Sequence, residues 1–340
     1  MVVIKTLDGR EQDRWDRFVA TCEEATFFHR AGWSTVIEST TGHRPYYLYA
    51  EQEGQICGVL PLVEVKSRLF GHALISTPFC VYGGVASTSD AATAKLLDHA
   101  KKLADQLRVD YLELRHRQSR TPGWPARSNH ATFRRPLGDD DNNLQAMKRK
   151  QRAVIRQAIS NKHTATIESG VDQFFHIYST SVRNLGTPVF SRRFFQALQA
   201  VFQHDCEVLT IHHQNRPVSS LMSFYFRDEV LPYYGGGLPE SRSLKSMDFM
   251  YWDLMQRATA KGLATYDFGR SKIDSGPYHY KRHWGFEPEP LCYEYHLVRA
   301  TQLPNYSPNN PKYRYFIKIW QRLPLWLTQQ LGPYLSKSLA

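Results

Sequence analysis

Side chains that can bind anions or transfer protons are concentrated in one short segment of the chain. Residues 266–288 read YDFGRSKIDSGPYHYKRHWGFEP. The candidates for chemistry in this segment are Asp267, Arg270, Ser271, Tyr278, His279, Tyr280 and Lys281. A phenol or an imidazole can accept or donate a proton, whereas an aromatic run beside a strand can also be simple packing. The segment is therefore the first candidate for a reaction site.

Two nearby features would suit a bound substrate. Arg270 lies at the end of a strand-like sequence, where ligands of open α/β sheets collect. Its guanidinium could hold a phosphate or a carboxylate through two parallel hydrogen bonds, or it could pair with an acid such as Asp267. Tyr234 precedes a glycine run in which Gly235 and Gly236 would let a ligand approach the backbone, although a tight strand exit needs the same residues.

The elements that must position these residues occur twice. Each copy has an alternating, strand-like stretch, a Tyr-Gly-Gly turn, a segment with apolar residues at helical spacing and a short strand that ends in arginine. The first copy comprises residues 55–65, Tyr82-Gly83-Gly84, 97–107 and 111–115, and the second comprises 217–226, Tyr234-Gly235-Gly236, 247–258 and 266–270. The two tyrosines lie 152 residues apart and the two arginines 155 apart, which indicates a duplication.

The repeat predicts a tandem α/β fold with a mixed sheet in each module. A strand, a helix and another strand within about 50 residues form a crossover unit that pairs its strands in parallel. Helical sequence also opens each half, at residues 14–20 and 29–39 and again at 171–184 and 192–203. We expect a first module over residues 1–145, a second over 146–300 and a basic, amphipathic tail over 301–340.

This order of elements resembles the GNAT acyltransferase fold, and its doubling resembles the Fem family, whose members attach amino acids to peptidoglycan precursors. Residues 266–288 resemble the D-F-G-x-S and F/Y-K-x-x-x-G-F ending of Fem-like second modules. FHRAGW (28–33) resembles their F-Q-S-x-x-W opening, with His29 in place of glutamine, and KRKQRAVIRQAISNK (148–162) resembles their inter-module helix. With the tail, the pattern is most similar to FemAB-like proteins associated with exopolysaccharide and exosortase (PEP-CTERM) gene clusters.

The resemblance implies an N-acyl or aminoacyl transferase that acts on an amino-bearing cell-envelope precursor, such as an exopolysaccharide, a lipid-linked saccharide or a peptidoglycan-type peptide. It places the reaction in the second module and makes the first a degenerate partner that shapes the cleft. Lys281 matches the lysine of the family motif. A cation at this place would stabilise the oxyanion that develops during acyl transfer, with Tyr280 or His279 transferring protons, whereas the alternative is a surface lysine on a short helix.

The acyl donor stays open between acyl-CoA and aminoacyl-tRNA, and no tightly bound cofactor is expected. Acetyl-CoA enzymes of the superfamily have a Q/R-x-x-G-x-G/A phosphate loop, and ESRSLKSM (240–247) lacks its glycines. A helix that begins near Ser246 could still bind phosphate through its N–H groups, with Arg242 and Lys245 adding charge. The chain also lacks the long helical-hairpin arm of several peptidoglycan-bridge enzymes.

Two other functions are compatible with the composition. One is an acetyl-CoA-dependent N-acetyltransferase of a small metabolite, and the other is a non-catalytic, basic nucleic-acid-binding protein. The net charge is +11, with six Lys or Arg and no acid in residues 148–163 and the same count in the last 46 residues. These clusters suit phosphates or an acidic membrane face, or they are solvated surfaces. The pair His212-His213 lacks metal-site spacing, so no metal is expected.

The tail combines an apolar stripe with basic residues. In KYRYFIKIWQRL (312–323) the stripe consists of Tyr313, Phe316, Ile317 and Trp320, and the basic residues beside it are Arg314, Lys318 and Arg322. Such a stripe can pack on the second module, or residues 312–340 can lie on the surface of an anionic membrane. Because no signal-peptide-like run and no stretch of about 20 apolar residues occurs, we expect a cytoplasmic protein. Its five scattered cysteines should be free thiols.

Overall fold

The computed structural model describes residues 1–67, 70–304 and 311–339. Its strands are β1 (Val3–Thr6), β2 (Arg44–Gln52), β3 (Gln55–Ser67), β4 (Gly71–Ser76), β5 (Ala86–Ser87), β6 (Tyr111–His116), β7 (Ala126–Arg127), β8 (His130–Pro136), β9 (Thr164–Glu168), β10 (Cys206–His213), β11 (Arg216–Phe226), β12 (Glu229–Gly237), β13 (Thr265–Asp267), β14 (Ser271–Lys272), β15 (Pro288–Pro290) and β16 (Cys292–Leu297). Its helices are α1 (Gln12–Thr21), α2 (Gly32–Thr41), α3 (Asp90–Leu107), α4 (Asp140–Ala146), α5 (Arg149–Ser160), α6 (Asp172–Leu185), α7 (Arg192–Phe202), α8 (Ser241–Leu244), α9 (Ser246–Ala260), α10 (Gly276–His283), α11 (Pro311–Arg322) and α12 (Leu325–Ser336).

These elements form two compact units, each of which is assembled from separate stretches of the chain. The first unit contains Met1–Asn129, a segment that begins at Pro290 and the end of the chain from Lys337. The second contains His130–Glu289 and the helical segment that ends at Ser336. Strand β16 therefore belongs to the first unit although it follows the second in sequence.

The first unit is a mixed sheet in the order β1-β2-β3-β4-β6-β16-β7, with β5 beside β3. Strands β4 and β6 pair in parallel, and the other neighbours in this order pair antiparallel. The crossover between β4 and β6 contains α3, whose start is capped by Ser89 accepting a hydrogen bond from the Ala92 N–H. The predicted helix and the strand after it are confirmed here, but the strand that pairs in parallel with β6 is β4, not the predicted strand at residues 55–65, which lies in β3. Helix α3 buries small residues, Ala92, Ala100 and Ala104, next to the sheet.

The second unit repeats this design. Its sheet has the order β14-β8-β13-β12-β11-β10-β9, with β15 beside β8. Strands β12 and β13 form the parallel pair, and α9 lies in the crossover between them. The core of the unit holds large side chains from β8, α9, β13 and the segment after α10, among them Phe133, Met255, Tyr266, Trp284 and Phe286. The prediction of a mixed α/β fold with tandem, related modules is confirmed.

One predicted turn is different in the structure. The sequence suggested a Tyr-Gly-Gly turn in both copies, but Gly235 and Gly236 lie within β12 and pair with Leu221 and Ser220 of β11. A Cβ on Gly236 would lie 2.9 Å from Ser181 Cβ and 3.0 Å from Tyr178 Cα, both on α6. This glycine is therefore required where helix α6 approaches the strand closely, not for a change in chain direction.

Helices α11 and α12 of the tail pack on helix α6 of the second unit. Trp320 of α11 is 2% exposed, and Ile317 lies against Gly186 at the end of α6. In α12, Gly332 lies against the Val189 backbone, and Gln329 donates a hydrogen bond to Ser179 of α6 (2.8 Å). Packing of the predicted stripe on the second module is thus observed for Ile317 and Trp320, whereas the side chains of Tyr313 and Arg314 lie outside the described residues. Among the described residues, no helix has the length and apolar character needed to cross a membrane.

Substitution of Gly236 tests the close approach of α6 to β12. We expect Gly236→Ala to lower the free energy of unfolding by about 1 to 3 kcal/mol, because the added methyl group overpacks the contact with Tyr178 and Ser181. Urea denaturation of both forms measures this difference. Gly170→Ala is the matched control, since a Cβ at Gly170 meets no atom within 4 Å. Equal stability of the two variants would show that the packing does not require Gly236.

Candidate functional site

Lys281 is held inside the second unit by helix α10. Ser275 caps this helix by accepting a hydrogen bond from the Tyr278 N–H, and Pro277 occupies its first turn, where a missing N–H costs nothing. The Lys281 side chain is 9% exposed. Its Nζ donates hydrogen bonds to the backbone carbonyls of Gly269 (2.9 Å) and Arg270 (3.1 Å). A surface lysine, the alternative to a functional one, is thus not what the structure shows.

Two aromatic rings lie beside the same amine. The Lys281 Nζ is 5.4 Å from the ring centre of Phe133 and 5.3 Å from that of Phe268. Burial lowers the pKa of Lys281 to about 7, although the nearby Asp267 carboxylate acts in the opposite direction. The group can therefore change between ammonium and amine near neutral pH. As an ammonium it has three N–H donors, two of which are used by the backbone carbonyls.

Asp267 shapes the loop that accepts these hydrogen bonds. Its carboxylate, 2% exposed, accepts a hydrogen bond from the Gly269 N–H (2.9 Å). Gly269 has a φ of +70°, a left-handed conformation that glycine adopts without strain. Arg134 of β8 lies beside Asp267, with Nε 3.4 Å from Oδ2. The sequence had suggested Arg270 as the partner of this acid, and no local pattern indicated Arg134, which lies more than a hundred residues away.

Tyr280, the residue before Lys281, connects α10 to helix α9. The Tyr280 hydroxyl donates to Asp248 (3.0 Å), and the Gln151 side-chain amide of α5 donates to the same oxygen (2.8 Å). Burial raises the pKa of the Asp248 carboxyl, and burial together with Asp248 raises the pKa of Tyr280. Asp248 and Gln151 were not identified from the sequence, because a polar residue on an amphipathic helix such as α9 or α5 looks like an ordinary surface position.

The other residues proposed around Lys281 have different environments. His279 is exposed, and Tyr278 packs edge-on against Phe133 with ring centres 5.3 Å apart. Arg270 is half-buried and contributes its carbonyl to Lys281, whereas Ser271 is buried in β14 opposite Ala131. The structure thus brings Lys281, Asp267 and the backbone of Arg270 together and directs Tyr280 toward α9.

Tyr234 belongs to an aromatic cluster instead of an open surface. Its ring lies 4.7 Å from that of Tyr233, 5.3 Å from Phe195 and 5.8 Å from Tyr178, measured between ring centres. Tyr234 is 6% exposed. With Gly235 and Gly236 inside β12, this part of the predicted substrate site is packed between the sheet and helices α6 and α7.

The predicted phosphate-binding residues surround the start of α9. The Ser246 hydroxyl is fully buried and lies 2.5 Å from the Ser219 hydroxyl, so it faces β11. Arg242 is exposed, and Lys245 is half-buried with a φ of +56° at the junction of α8 and α9. Asp248 already places a carboxylate in the first turn of α9, where it interacts favourably with the helix dipole.

The fold agrees with a known enzyme class. Residues 142–282, from α4 to α10, match the family model described as acetyltransferase (GNAT) domain. The chain is an acyltransferase. Enzymes of this fold use acyl-CoA as a substrate and not as a tightly bound cofactor. No curated protein matches the chain.

Solved structures extend the similarity over most of the chain. FemX has a TM-score of 0.65 at 14% sequence identity, over 87% of this chain and 98% of FemX. A tandem GNAT protein from the clavulanic acid biosynthesis pathway has a TM-score of 0.55 at 12% identity, over 89% and 100%. The C-terminal domain of a putative lysylphosphatidylglycerol synthetase from Agrobacterium fabrum has 0.54 at 11% identity, over 86% and 92%. At such identities the likeness shows the shared fold.

The buried position of Lys281 predicts a pH-dependent stability. Its pKa is about 7 in the folded chain, against an ordinary value of 10.5 that applies when the chain unfolds. Between these two values the unfolded chain binds a proton that the folded chain does not. Stability therefore rises with pH in this window, by at most about 1.4 kcal/mol per pH unit from this group.

Denaturation at several pH values checks this prediction. The free energy of unfolding of the native chain, minus that of Lys281→Met, should increase from pH 7 to pH 10. The subtraction removes groups that titrate in both proteins. A difference that stays constant across this range would show that Lys281 keeps its ordinary pKa.

Proposed function

We propose that the chain transfers an acyl or aminoacyl group to the amine of a cell-envelope precursor and that the reaction occurs in the second unit. The observation that carries the proposal is the buried Lys281 amine, which uses two backbone carbonyls as acceptors and retains one donor when protonated. The envelope acceptor, an exopolysaccharide, a lipid-linked saccharide or a peptidoglycan-type peptide, rests on the resemblance to Fem proteins. The link to exosortase gene clusters rests on the same resemblance.

The chemistry follows from the charge that develops in acyl transfer. The acceptor amine attacks the acyl carbonyl, a C–N bond forms, and the carbonyl oxygen becomes an oxyanion. The remaining N–H of the Lys281 ammonium stabilises this oxyanion, most strongly where water is excluded by Phe133 and Phe268. Collapse breaks the bond to the thiol sulfur of acyl-CoA or to the ribose oxygen of aminoacyl-tRNA, and the proton lost by the amine leaves with that group.

Asp267, Tyr280 and Asp248 hold the Lys281 amine in position. Asp267 fixes the loop whose carbonyls orient the amine, and the Tyr280–Asp248 hydrogen bond fixes the rotation of α10. His279, which is exposed, and Tyr278 lie on the same helix and are candidates for proton transfer and substrate contact. Arg270 and the charges of Arg242 and Lys245 are candidates for contacts to an anionic part of either substrate.

A second candidate is transfer of acetyl from acetyl-CoA to a small metabolite. The family model described as acetyltransferase (GNAT) domain favours it, whereas the missing glycines before α9 do not. Because the chain is an acyltransferase, its basic segments are interpreted as substrate-binding or surface charge, not as the function of a non-catalytic nucleic-acid binder. Mass spectrometry of the protein incubated with acyl-CoA and aminoacyl-tRNA pools decides between the donors by showing which one is consumed.

Replacing Lys281 tests the role of the buried amine. Lys281→Met should lower turnover of the consumed donor by about a hundredfold or more, because loss of one oxyanion donor costs roughly 3 to 4 kcal/mol of barrier. The exposed Lys95→Met on α3 is the matched control and should keep its activity. Circular dichroism verifies the fold of both. Unchanged kcat in a folded Lys281→Met protein would remove Lys281 from the mechanism.

We also propose that the tail contacts an anionic membrane, but through a face other than the predicted stripe. With Ile317 and Trp320 directed at the second unit, the exposed apolar side chains in the described part of the tail are Tyr315 (71%), Ile319 (44%), Trp326 (60%), Leu331 (42%), Tyr334 (71%) and Leu339 (37%). Lys318 and Arg322 are exposed on α11, and no acid follows Glu294 in the chain. Aromatic rings favour the bilayer interface, and each basic residue near anionic lipid adds about 1 kcal/mol.

Vesicle sedimentation tests the tail. The full chain should pellet with phosphatidylglycerol-containing vesicles, pellet less with neutral ones and lose binding in high salt. Trp326→Ala with Tyr334→Ala should reduce binding, whereas Ile167→Ala, which removes an exposed side chain of β9 (46%), should not. Point variants are preferable to truncation, because truncation would also remove the packing of Trp320 and Gly332. Equal sedimentation of all forms would show that the tail does not dock.

A further inference from the structure

A cavity of about 370 Å³ lies in the first unit, beyond the carboxyl ends of its parallel strands. The segments that follow β4 and β6 both line it, at Tyr82–Val85 and at Arg115–Arg120. The third wall comes from the segment that contains Glu23, Glu24 and His29. Ligands of open α/β sheets bind beyond the carboxyl ends of strands, so the cavity is at the position where this kind of sheet accepts a ligand.

The residues at this cavity are the first-copy counterparts of the predicted substrate site. Tyr82, Gly83 and Gly84 correspond to Tyr234, Gly235 and Gly236, and Arg115 corresponds to Arg270. In the second unit the glycines are part of β12. In the first unit they lie in a loop, and together with Arg115 they line the cavity. The arrangement that the sequence suggested for the second copy is therefore assembled in the first.

Arg115 is the residue that indicates a ligand. It is 2% exposed, and such a buried guanidinium needs partners for its donors. Its Nε donates to Glu113 (2.8 Å) and its Nη1 donates to the carbonyl of Cys80 (2.7 Å). Its Nη2 donates to no residue in the described part of the chain, while Arg115 lines the cavity. An anionic oxygen of a ligand in the cavity would accept a hydrogen bond from this Nη2 and so give each nitrogen of the guanidinium a partner.

The mouth of the cavity carries two further arginines on an ordered loop. Glu294 accepts hydrogen bonds from the Ser119 hydroxyl (2.7 Å) and the Thr121 N–H (2.9 Å). Burial acts in the opposite direction, but the hydrogen bond with His116 and those from Arg120, Ser119 and Thr121 lower the pKa of Glu294 to about 2, so it stays ionised. Arg120, which lies between Ser119 and Thr121, pairs with Glu24. Arg117 lies over the Tyr82 ring, 5.7 Å from its centre. The guanidinium groups are therefore fixed before a ligand arrives.

Two histidines form a rigid floor and supply no charge of their own to the ligand. The His116 ring accepts a hydrogen bond from the Val85 N–H on Nε2 (3.0 Å), so its proton is on Nδ1 and is donated to Glu294. The His29 Nε2 donates to the Gly84 carbonyl (2.9 Å). Burial lowers the pKa of His29 to about 4, which keeps it neutral. The positive charge available in the cavity is thus that of arginine.

We propose that this cavity is a second ligand site, which binds the oxyanion group of a small polar molecule to Arg115. A phosphate ester and a carboxylate share the required chemistry, since each can accept hydrogen bonds from a guanidinium. The exposed carboxylate of Glu23 at the cavity wall favours a ligand that also carries an amino group, such as an amino sugar phosphate or an amino acid. The site is independent of the acyl-transfer proposal, because its residues all belong to the first unit.

Calorimetric titration of the full chain tests the site, with inorganic phosphate, glucosamine 6-phosphate, glucose 6-phosphate and alanine as probes. We expect at least one oxyanion to bind and the amino-bearing phosphate to bind more tightly than glucose 6-phosphate. Binding by phosphates alone would identify the group as phosphate, and binding by alanine would identify it as carboxylate. Absence of heat and of thermal stabilisation with all four would overturn the proposal.

Variants connect the binding to Arg115. Because Arg115→Gln would leave Glu113 unpaired, the variant to use is Glu113→Gln with Arg115→Gln, which removes both charges. It should raise the Kd about tenfold or more, as expected for loss of charge-assisted hydrogen bonds. Gln118→Trp, which fills the mouth from an exposed position, should weaken binding in a chain with an intact core. The control Arg10→Gln should bind normally, and unchanged Kd in both site variants would overturn the assignment.

Discussion

The arrangement of the second unit around α10 keeps the Lys281 amine away from water and holds it in one orientation, toward the carbonyls of Gly269 and Arg270. Burying an ammonium is costly unless its donors are satisfied, and here two backbone carbonyls and two aromatic rings take the place of solvent around Lys281. The carbonyls are available because the chain turns at Gly269, and this turn is held by Asp267. Phe133 is contributed by β8, so the first strand of the unit is also part of the environment of the amine.

The need to hold this amine in place explains why α10 is fixed both at its start, by Ser275, and along its length, by Tyr280. A short helix of eight residues has little stability of its own. Its capping residue Ser275 fixes where it begins, and the Tyr280–Asp248 hydrogen bond fixes which side faces the sheet. Rotation of α10 would move the amine away from the carbonyls of Gly269 and Arg270. In the proposed acyl transfer, an amine oriented in this way would lower the barrier, because no reorganisation is needed when charge develops.

The two copies show how one pattern can serve two purposes. A glycine lets either a helix or a ligand approach the backbone, because both need space where a Cβ would be. In the second unit α6 occupies that space beside Gly236, and in the first unit the corresponding loop lines a cavity. Whether the space beside the glycine is filled depends on which helix packs there, and that helix comes from a distant part of the chain.

The sequence alone determined the order of strands and helices, because periodicity of apolar residues and capping signals act over short distances. Its prediction of helices at 171–184 and 192–203 differs from α6 and α7 by one residue at the ends. It also led to Lys281 and Asp267 as candidate site residues, since both belong to a short contiguous motif.

Only the tertiary structure decided which side chains meet. Arg134 beside Asp267 and Glu294 beside His116 each join residues more than a hundred positions apart. Likewise, the stripe containing Trp320 has the same amphipathic pattern whether it meets a membrane or a protein surface. In the structure helix α6 covers this stripe. Because α6 is more than a hundred residues away in the sequence, only the folded chain shows that the two helices meet.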